Sequence, residues 1–236
     1  MAKRRKNYNP AEEEEIIRED SVVEEVQEYS AEPQSWFEEN RMKFLAIIGV
    51  LALLIGIFVI YKYAIKAPKE KAAANAIYKA ESQFARDSFA LALENPGGGF
   101  EGFLDIIDQY NGTKAANLAK YYAGISYLNL GRYEDAIEYL KAYKANGDIT
   151  PIMKNGALGD AYAETGELDQ ALSFYKKAAN AEDNEFLSPY YLKKYGMLSQ
   201  KQGKNDEALN AFKKIKEKYS TSSQGTDIDR YIAQVQ

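Results

Sequence analysis

Neither histidine nor cysteine occurs among the 236 residues, so side-chain chemistry is left to 35 carboxylates, 30 lysines and arginines, and 19 tyrosines. Without Cys there is no thiolate nucleophile, disulfide framework or thiolate metal site. Without His there is no imidazole base or imidazole-bound metal. Three clusters could still do chemistry. The run Pro96-Gly97-Gly98-Gly99 has the composition of a phosphate-cradling loop. No Lys-Ser/Thr follows it and no strand-like run precedes it, so it reads as a turn. Lys193, Lys194, Lys201, Lys204, Lys213, Lys214, Lys216 and Lys218 crowd one stretch against Asp206, Glu207 and Glu217. That face could meet acidic protein or lipid headgroups, or be solvated helix surface. Lys3, Arg4, Arg5 and Lys6 form a third cluster, a solvated charge run or a contact for anionic lipid or nucleic acid. No pair of carboxylates stands at a recognisable catalytic spacing, and nothing singles out a Lys or Tyr nucleophile. The residue types point to a protein that is not an enzyme and has no cofactor and no bound metal.

The elements that would position any site repeat along the chain. Gly124, Tyr127, Gly131, Tyr133, Ala136, Ile137 and Leu140 superpose on Gly159, Tyr162, Gly166, Leu168, Ala171, Leu172 and Tyr175 at one constant offset. A third copy follows with Gly196, Gly203, Ala208, Leu209 and Phe212. Small residues at Gly124, Gly159 and Gly196 allow paired helices to approach closely. Gly131, Gly166 and Gly203 supply the turn after the first helix of each pair. Ala136, Ala171 and Ala208 fall where the second helix crosses the first. A degenerate copy precedes these, over 68–112: a long helix from about Ala72 to Leu93, the Pro96–Gly99 turn, and a helix from about Phe100 to Tyr110. The good copies span 117–222, and a short helix over 226–236, from Asp227 to Val235, would cap the last one.

The segments YAGISYLNLGRYEDAIEYLKAY and ALGDAYAETGELDQALSFYKKA resemble the tetratricopeptide repeat. The third copy departs from that pattern at Ser199 and Asn205. The resemblance implies an all-α fold: a right-handed α-solenoid of about seven helices plus a cap, with the first helix of each pair lining a concave face. By repeat position the groove contacts would be Leu118, Tyr121, Ile125 and Leu128, then Met153, Asp160 and Ala163, then Tyr190, Lys193, Met197 and Gln200. This mostly apolar set suits a peptide or partner segment, although ordinary packing would use the same residues. Tyr121, Tyr122, Gly156 and Ala157 stand where relatives place polar residues that clamp a C-terminal carboxylate, which argues against that mode.

Ahead of the repeats, Phe44 to Tyr61 form an uninterrupted uncharged run, FLAIIGVLALLIGIFVIY. As a helix it would reach about 27 Å, close to a bilayer core. The span and its flanks occupy 36–67. Ser35 with Glu38 fits a capping box; Trp36, Phe37, Tyr61 and Tyr63 suit the two interfaces. Arg41, Lys43, Lys62 and Lys66 can snorkel, and Pro68 suggests a kink or break. Residues 1–43 carry seven basic and twelve acidic side chains, so the entire net charge of −5 falls there. Residues 1–35 therefore read as a disordered acidic arm with a basic start, with weak helical spacing at Ile16, Val22, Val23, Val26 and Tyr29. The long preceding arm and the absence of an A-x-A site favour a retained anchor over a cleaved signal. Lysines flank both ends of the span, so the charge rule alone leaves its orientation open.

Acidic arm, SWFEENRMKFL, one span, a Lys-rich flank and then repeats: this order resembles the YfgM-like family, ancillary subunits of the SecYEG translocon. The resemblance implies a single-pass protein of the bacterial inner membrane, its N-terminus cytoplasmic and its repeats periplasmic. It implies contact with SecYEG and with a membrane-anchored prolyl isomerase of the PpiD type, and a role holding unfolded secreted chains. The longer arm and the more regular repeats also fit a scaffold of another envelope assembly, or a cytosol-facing membrane adaptor.

Overall fold

The computed structural model describes Trp36 and residues 38–236, and divides the chain into two compact units, one ending at Tyr63 and the other starting at Ala64. The expected arm, its basic cluster and the Ser35 cap lie outside the described residues. Among the described residues all regular structure is helical.

In the first unit, α1 (38–60) carries Leu45, Ile48, Leu51, Leu54, Ile55 and Phe58 all exposed. Together with Val50, Leu53, Ile57 and Ile60, also exposed, these side chains point to every side of the helix, and none is buried against described protein. An all-round apolar helix packed on no described protein has the make-up of a candidate membrane span. Among the described residues, the helical run Glu38–Phe84 is the one long and apolar enough to cross a membrane. Trp36 meets Phe44 edge-on at 5.5 Å at one end of the apolar stretch.

The expected kink at Pro68 takes another form. The helix widens into a π-helical stretch, Tyr61–Lys66, and Pro68 falls in the first turn of α2 (Ala67–Phe84). Proline donates no backbone hydrogen bond, and a wide turn just before it accommodates the loss without ending the helix.

The second unit stacks helices α2, α3 (Phe89–Glu94), α4 (Phe103–Gln109), α5 (Lys114–Asn129), α6 (Tyr133–Ala142), α7 (Ile149–Glu164), α8 (Leu168–Ala181), α9 (Leu187–Lys201), α10 (Asn205–Lys218) and α11 (Ile228–Val235). The repeat pattern predicts about seven helices before the cap; α2 to α10 make nine among the described residues. The long helix from Ala72 to Leu93 is broken at 85–88, where Asp87 takes a left-handed conformation (φ 57°) and Ser88 donates its N–H to Gln83 O. In an unbroken helix Phe84 and Phe89, five residues apart, would point about 140° away from each other. The break instead brings Phe89 edge-on to Phe84 at 5.4 Å, while Phe84 also meets Phe103 at 6.2 Å. The following helix starts at Phe103 rather than Phe100, which stays exposed beside Lys79.

In the regular pairs, a Cβ at Gly124 would lie 2.6 Å from Leu140 Cγ, and one at Gly159 would lie 2.5 Å from Tyr175 Cδ1. Gly196 is covered in the same way by Phe212. Ala136, Ala171 and Ala208 have no exposed surface. Gly131, Gly166 and Gly203 adopt φ of 74°, 82° and 73° in the turns. Each pair thus closes on one small residue per helix, with a large side chain of the second helix lying over the glycine of the first.

Candidate partner-binding surface

Within the stack α5 packs on α7 and α7 on α9, while no comparable contact links α6 to α8 or α8 to α10. Like helices that touch on one side and part on the other define the inner face of a curved array. The first helix of each pair therefore lines it. Leu118, Tyr121, Ile125 and Leu128 lie there half-buried against the core, followed by Met153, Asp160 and Ala163. Tyr190 and Met197 project further, at 39% and 45% exposure, and Gln200 is half-buried beyond them.

The strip is held by tyrosines. Tyr121 packs on Tyr143 at 5.3 Å and on Tyr122 at 6.0 Å, and Tyr122 stacks on Phe103 at 5.2 Å. Burial, and then the nearby Tyr143 and Tyr122 hydroxyls, push the Tyr121 hydroxyl up to about 12. Further along, Tyr191 lies over Gly156, meets Tyr190 edge-on at 5.0 Å and stacks on Tyr175 at 6.4 Å. A polar knot fixes this second group. Asp160 Oδ1 accepts from both the Tyr175 hydroxyl and Lys194 Nζ, each at 2.6 Å. Burial, then the Asp160 charge and hydrogen bond, raise the Tyr175 pKa. For Lys194 burial works towards a lower value, but the bond and charge of Asp160 more than offset it, so its pKa is raised. Both groups keep the charge state that the pair needs at neutral pH.

Lys193, expected in the groove, is taken up elsewhere: its ammonium bonds Asp227 at 2.6 Å and lies 4.5 Å over the Tyr231 ring of the terminal helix. Its neighbour Lys194 reaches Asp160 on α7. The lysine-rich stretch is likewise engaged in cross-repeat contacts. Lys204 pairs with Asp169, Lys218 with Asp183 and Lys216 with Asp229, and Lys214 bonds the Asn180 amide oxygen. Lys154, which carries no expectation from sequence, donates to the carbonyls of Lys141 and Tyr143 and so satisfies the C-terminus of α6.

Two hollows open near this face. One, of about 330 Å³, lies among Leu128, Tyr133, Asp160, Ala163, Glu164, Tyr175 and Lys194. The other, of about 730 Å³, lies between the loop before α9 and the loop after α10, with Phe186, Tyr190 and Tyr219 on its wall. Phe186 is 79% exposed. It sits on the stretch that lengthens the third repeat, a departure in spacing that is visible in the sequence.

Residues 155–185 match one sequence profile of the tetratricopeptide repeat, and residues 118–146 and 194–222 match another. No curated protein matches the chain. Among solved structures, a crystal structure of nearly identical TPR-like repeats from a Podosopora anserina protein described as a kinesin light chain aligns with a TM-score of 0.53. It is 11% identical, and the match covers 70% of this chain and 85% of that one. At that identity the likeness concerns the fold. With the glycine-centred helix pairs and the matched stretches in register, the chain carries tetratricopeptide repeats stacked as an α-solenoid.

Proposed function

We propose that this is a membrane-anchored repeat protein that works by contact, holding a peptide or partner segment along the inner face of its solenoid. The observation that carries the reading is the half-exposed strip of Leu118, Tyr121, Ile125, Leu128, Met153, Tyr190 and Met197, all placed by first helices on one side of the stack. Tetratricopeptide arrays are in general protein-interaction scaffolds, and side chains of this kind offer apolar area with adaptable shape. The apolar α1 supplies the anchor. Tethering at a membrane raises the effective concentration of partners there, so weak groove contacts suffice.

In its finer form the reading places the protein beside the SecYEG translocon in the bacterial inner membrane. The repeats would be periplasmic, near a PpiD-type prolyl isomerase, and would receive emerging secreted chains. The order of arm, WFEEN segment, span and repeats supports this form. A photo-crosslinker at position 125 or 197 in living cells tests it: adducts with translocon subunits, the isomerase or secreted chains are expected. Adducts with another envelope complex would refute the translocon assignment and leave the contact function standing. Digestion of the repeats by protease from the cytosolic side alone would refute the periplasmic placement.

A further inference from the structure

The polar knot at the centre of the inner face has unused capacity. Lys194 and Tyr175 both bond Asp160 Oδ1, and neither engages Oδ2. One helical turn on, Glu164 at the end of α7 is exposed and enters no ion pair among the described residues. Both carboxylates border the hollow of about 330 Å³, whose other walls are Leu128, Ala163 and the Tyr133 and Tyr175 side chains. The cation on that wall, Lys194, is already held by Asp160 and lies 5.0 Å and 5.6 Å over the Tyr190 and Tyr175 rings. Two carboxylates against one ammonium leave one negative charge uncompensated in a cavity continuous with the apolar strip of α5.

We propose that this cavity receives the cationic side chain, lysine or arginine, of an extended peptide whose neighbouring apolar residues lie along Ile125 and Leu128. The inference rests on the reading of the inner face as a peptide groove and names its chemical preference. An acidic peptide side chain would meet Glu164 and Asp160 across a short gap. A purely apolar one would cover those carboxylates and leave them without partners. A lysine or arginine satisfies both demands: its methylene stem packs on Leu128 and Ala163, and its head group donates to Glu164 and Asp160 Oδ2.

The test uses the full chain in detergent micelles and three fluorescein-labelled peptides of equal length. They alternate leucine with lysine, with serine or with glutamate, and binding is read by anisotropy at physiological salt. The lysine peptide is expected to bind tightest, and Glu164→Gln to weaken it about fivefold, the effect of one partly exposed charge contact. The same substitution should leave the serine peptide unchanged. Glu164 is exposed, so the variant keeps its fold; unchanged far-UV circular dichroism checks this. Equal binding of all three peptides would overturn the charge preference and leave the groove standing. A lysine preference that survives Glu164→Gln combined with Asp160→Asn would also overturn it, because the acidic arm would then be the cause. Failure of every peptide to bind would overturn both the preference and the groove.

Discussion

Replacing Gly159 with alanine puts the helix-pair geometry at risk in a way whose sign is decided by the structure. On an open helix surface the change would stabilise by about 1 kcal/mol, because alanine is the better helix former. Here the new methyl would lie 2.5 Å and 2.6 Å from Tyr175 Cδ1 and Cε1, well inside normal contact. The ring cannot yield freely, because its hydroxyl is bonded to Asp160 and its face is stacked near Tyr191. Separating α7 from α8 then costs about 1–3 kcal/mol of overpacking. Losing the hydrogen bond to a half-exposed carboxylate adds about 1 kcal/mol. The net is a destabilisation of about 1–3 kcal/mol. Urea unfolding of the detergent-solubilised chain, followed by tyrosine near-UV circular dichroism, reads it, since Trp36 is the single tryptophan and lies outside the repeats. A double-mutant cycle with Tyr175→Ala should show that most of the Gly159→Ala penalty vanishes once the ring is gone. A midpoint for Gly159→Ala at or above that of the parent would refute the close approach.

Further outcomes follow from the same packing and charges. Raised hydroxyl pKa values at Tyr121, Tyr175 and Tyr191 mean that the unfolded chain loses those protons first. Stability should therefore fall as pH climbs from about 10 to 12, by about 2–3 kcal/mol from Tyr121 alone at the upper end. Tyrosinate absorbance during an alkaline titration should rise in two phases. At the acid end, hydrogen bonds and charge from Lys193 and from Lys218 hold Asp227 and Asp183 below the usual carboxylate range. Their stabilisation is present above about pH 4 and is lost as pH falls through their folded values, so hydrogen exchange should show α11 loosening before α5 on acidification. Raising salt to about 1 M, where screening reaches about 3 Å, should speed exchange in α9 to α11 more than in α5 and α6. Gly131→Ala and Gly166→Ala should each lower the thermal midpoint through strain of about 1–2 kcal/mol at positive φ.

What is legible from sequence is whatever a local spacing rule determines. The apposition of Gly124 with Leu140 and of Gly159 with Tyr175 follows from the repeat offset, because helix crossing places those positions opposite each other. Three features escape such a rule. The break at Asp87 depends on where Phe84, Phe89 and Phe103 can meet, which is tertiary; its faint signal is the polar trio Arg86-Asp87-Ser88 within an apolar pattern. The different partners of Lys193 and Lys194 are a matter of one residue, about 100° of helix rotation. Repeat position alone does not resolve which of two adjacent lysines finds Asp160 and which finds Asp227. The lysine-rich stretch reads as solvated helix surface or a face for outside partners because its acids lie about one repeat earlier or in the cap, too distant for a local rule.

Those cross-repeat pairs also give the array a direction. Repeat two supplies acids and repeat three answers with lysines, while Asp227 and Asp229 neutralise Lys193 and Lys216 at the far edge as Tyr231 covers Phe212. Shuffled copies would not fit one another, and a chain stopped after Thr226 would present a sticky cationic end suited to the acidic face of a second molecule. Such a truncated chain should elute larger than the full chain on size exclusion, and elution at monomer size would count against the idea. The eight-residue α11 thus holds at the last repeat the carboxylates and the aromatic ring that the earlier repeats draw from their neighbours.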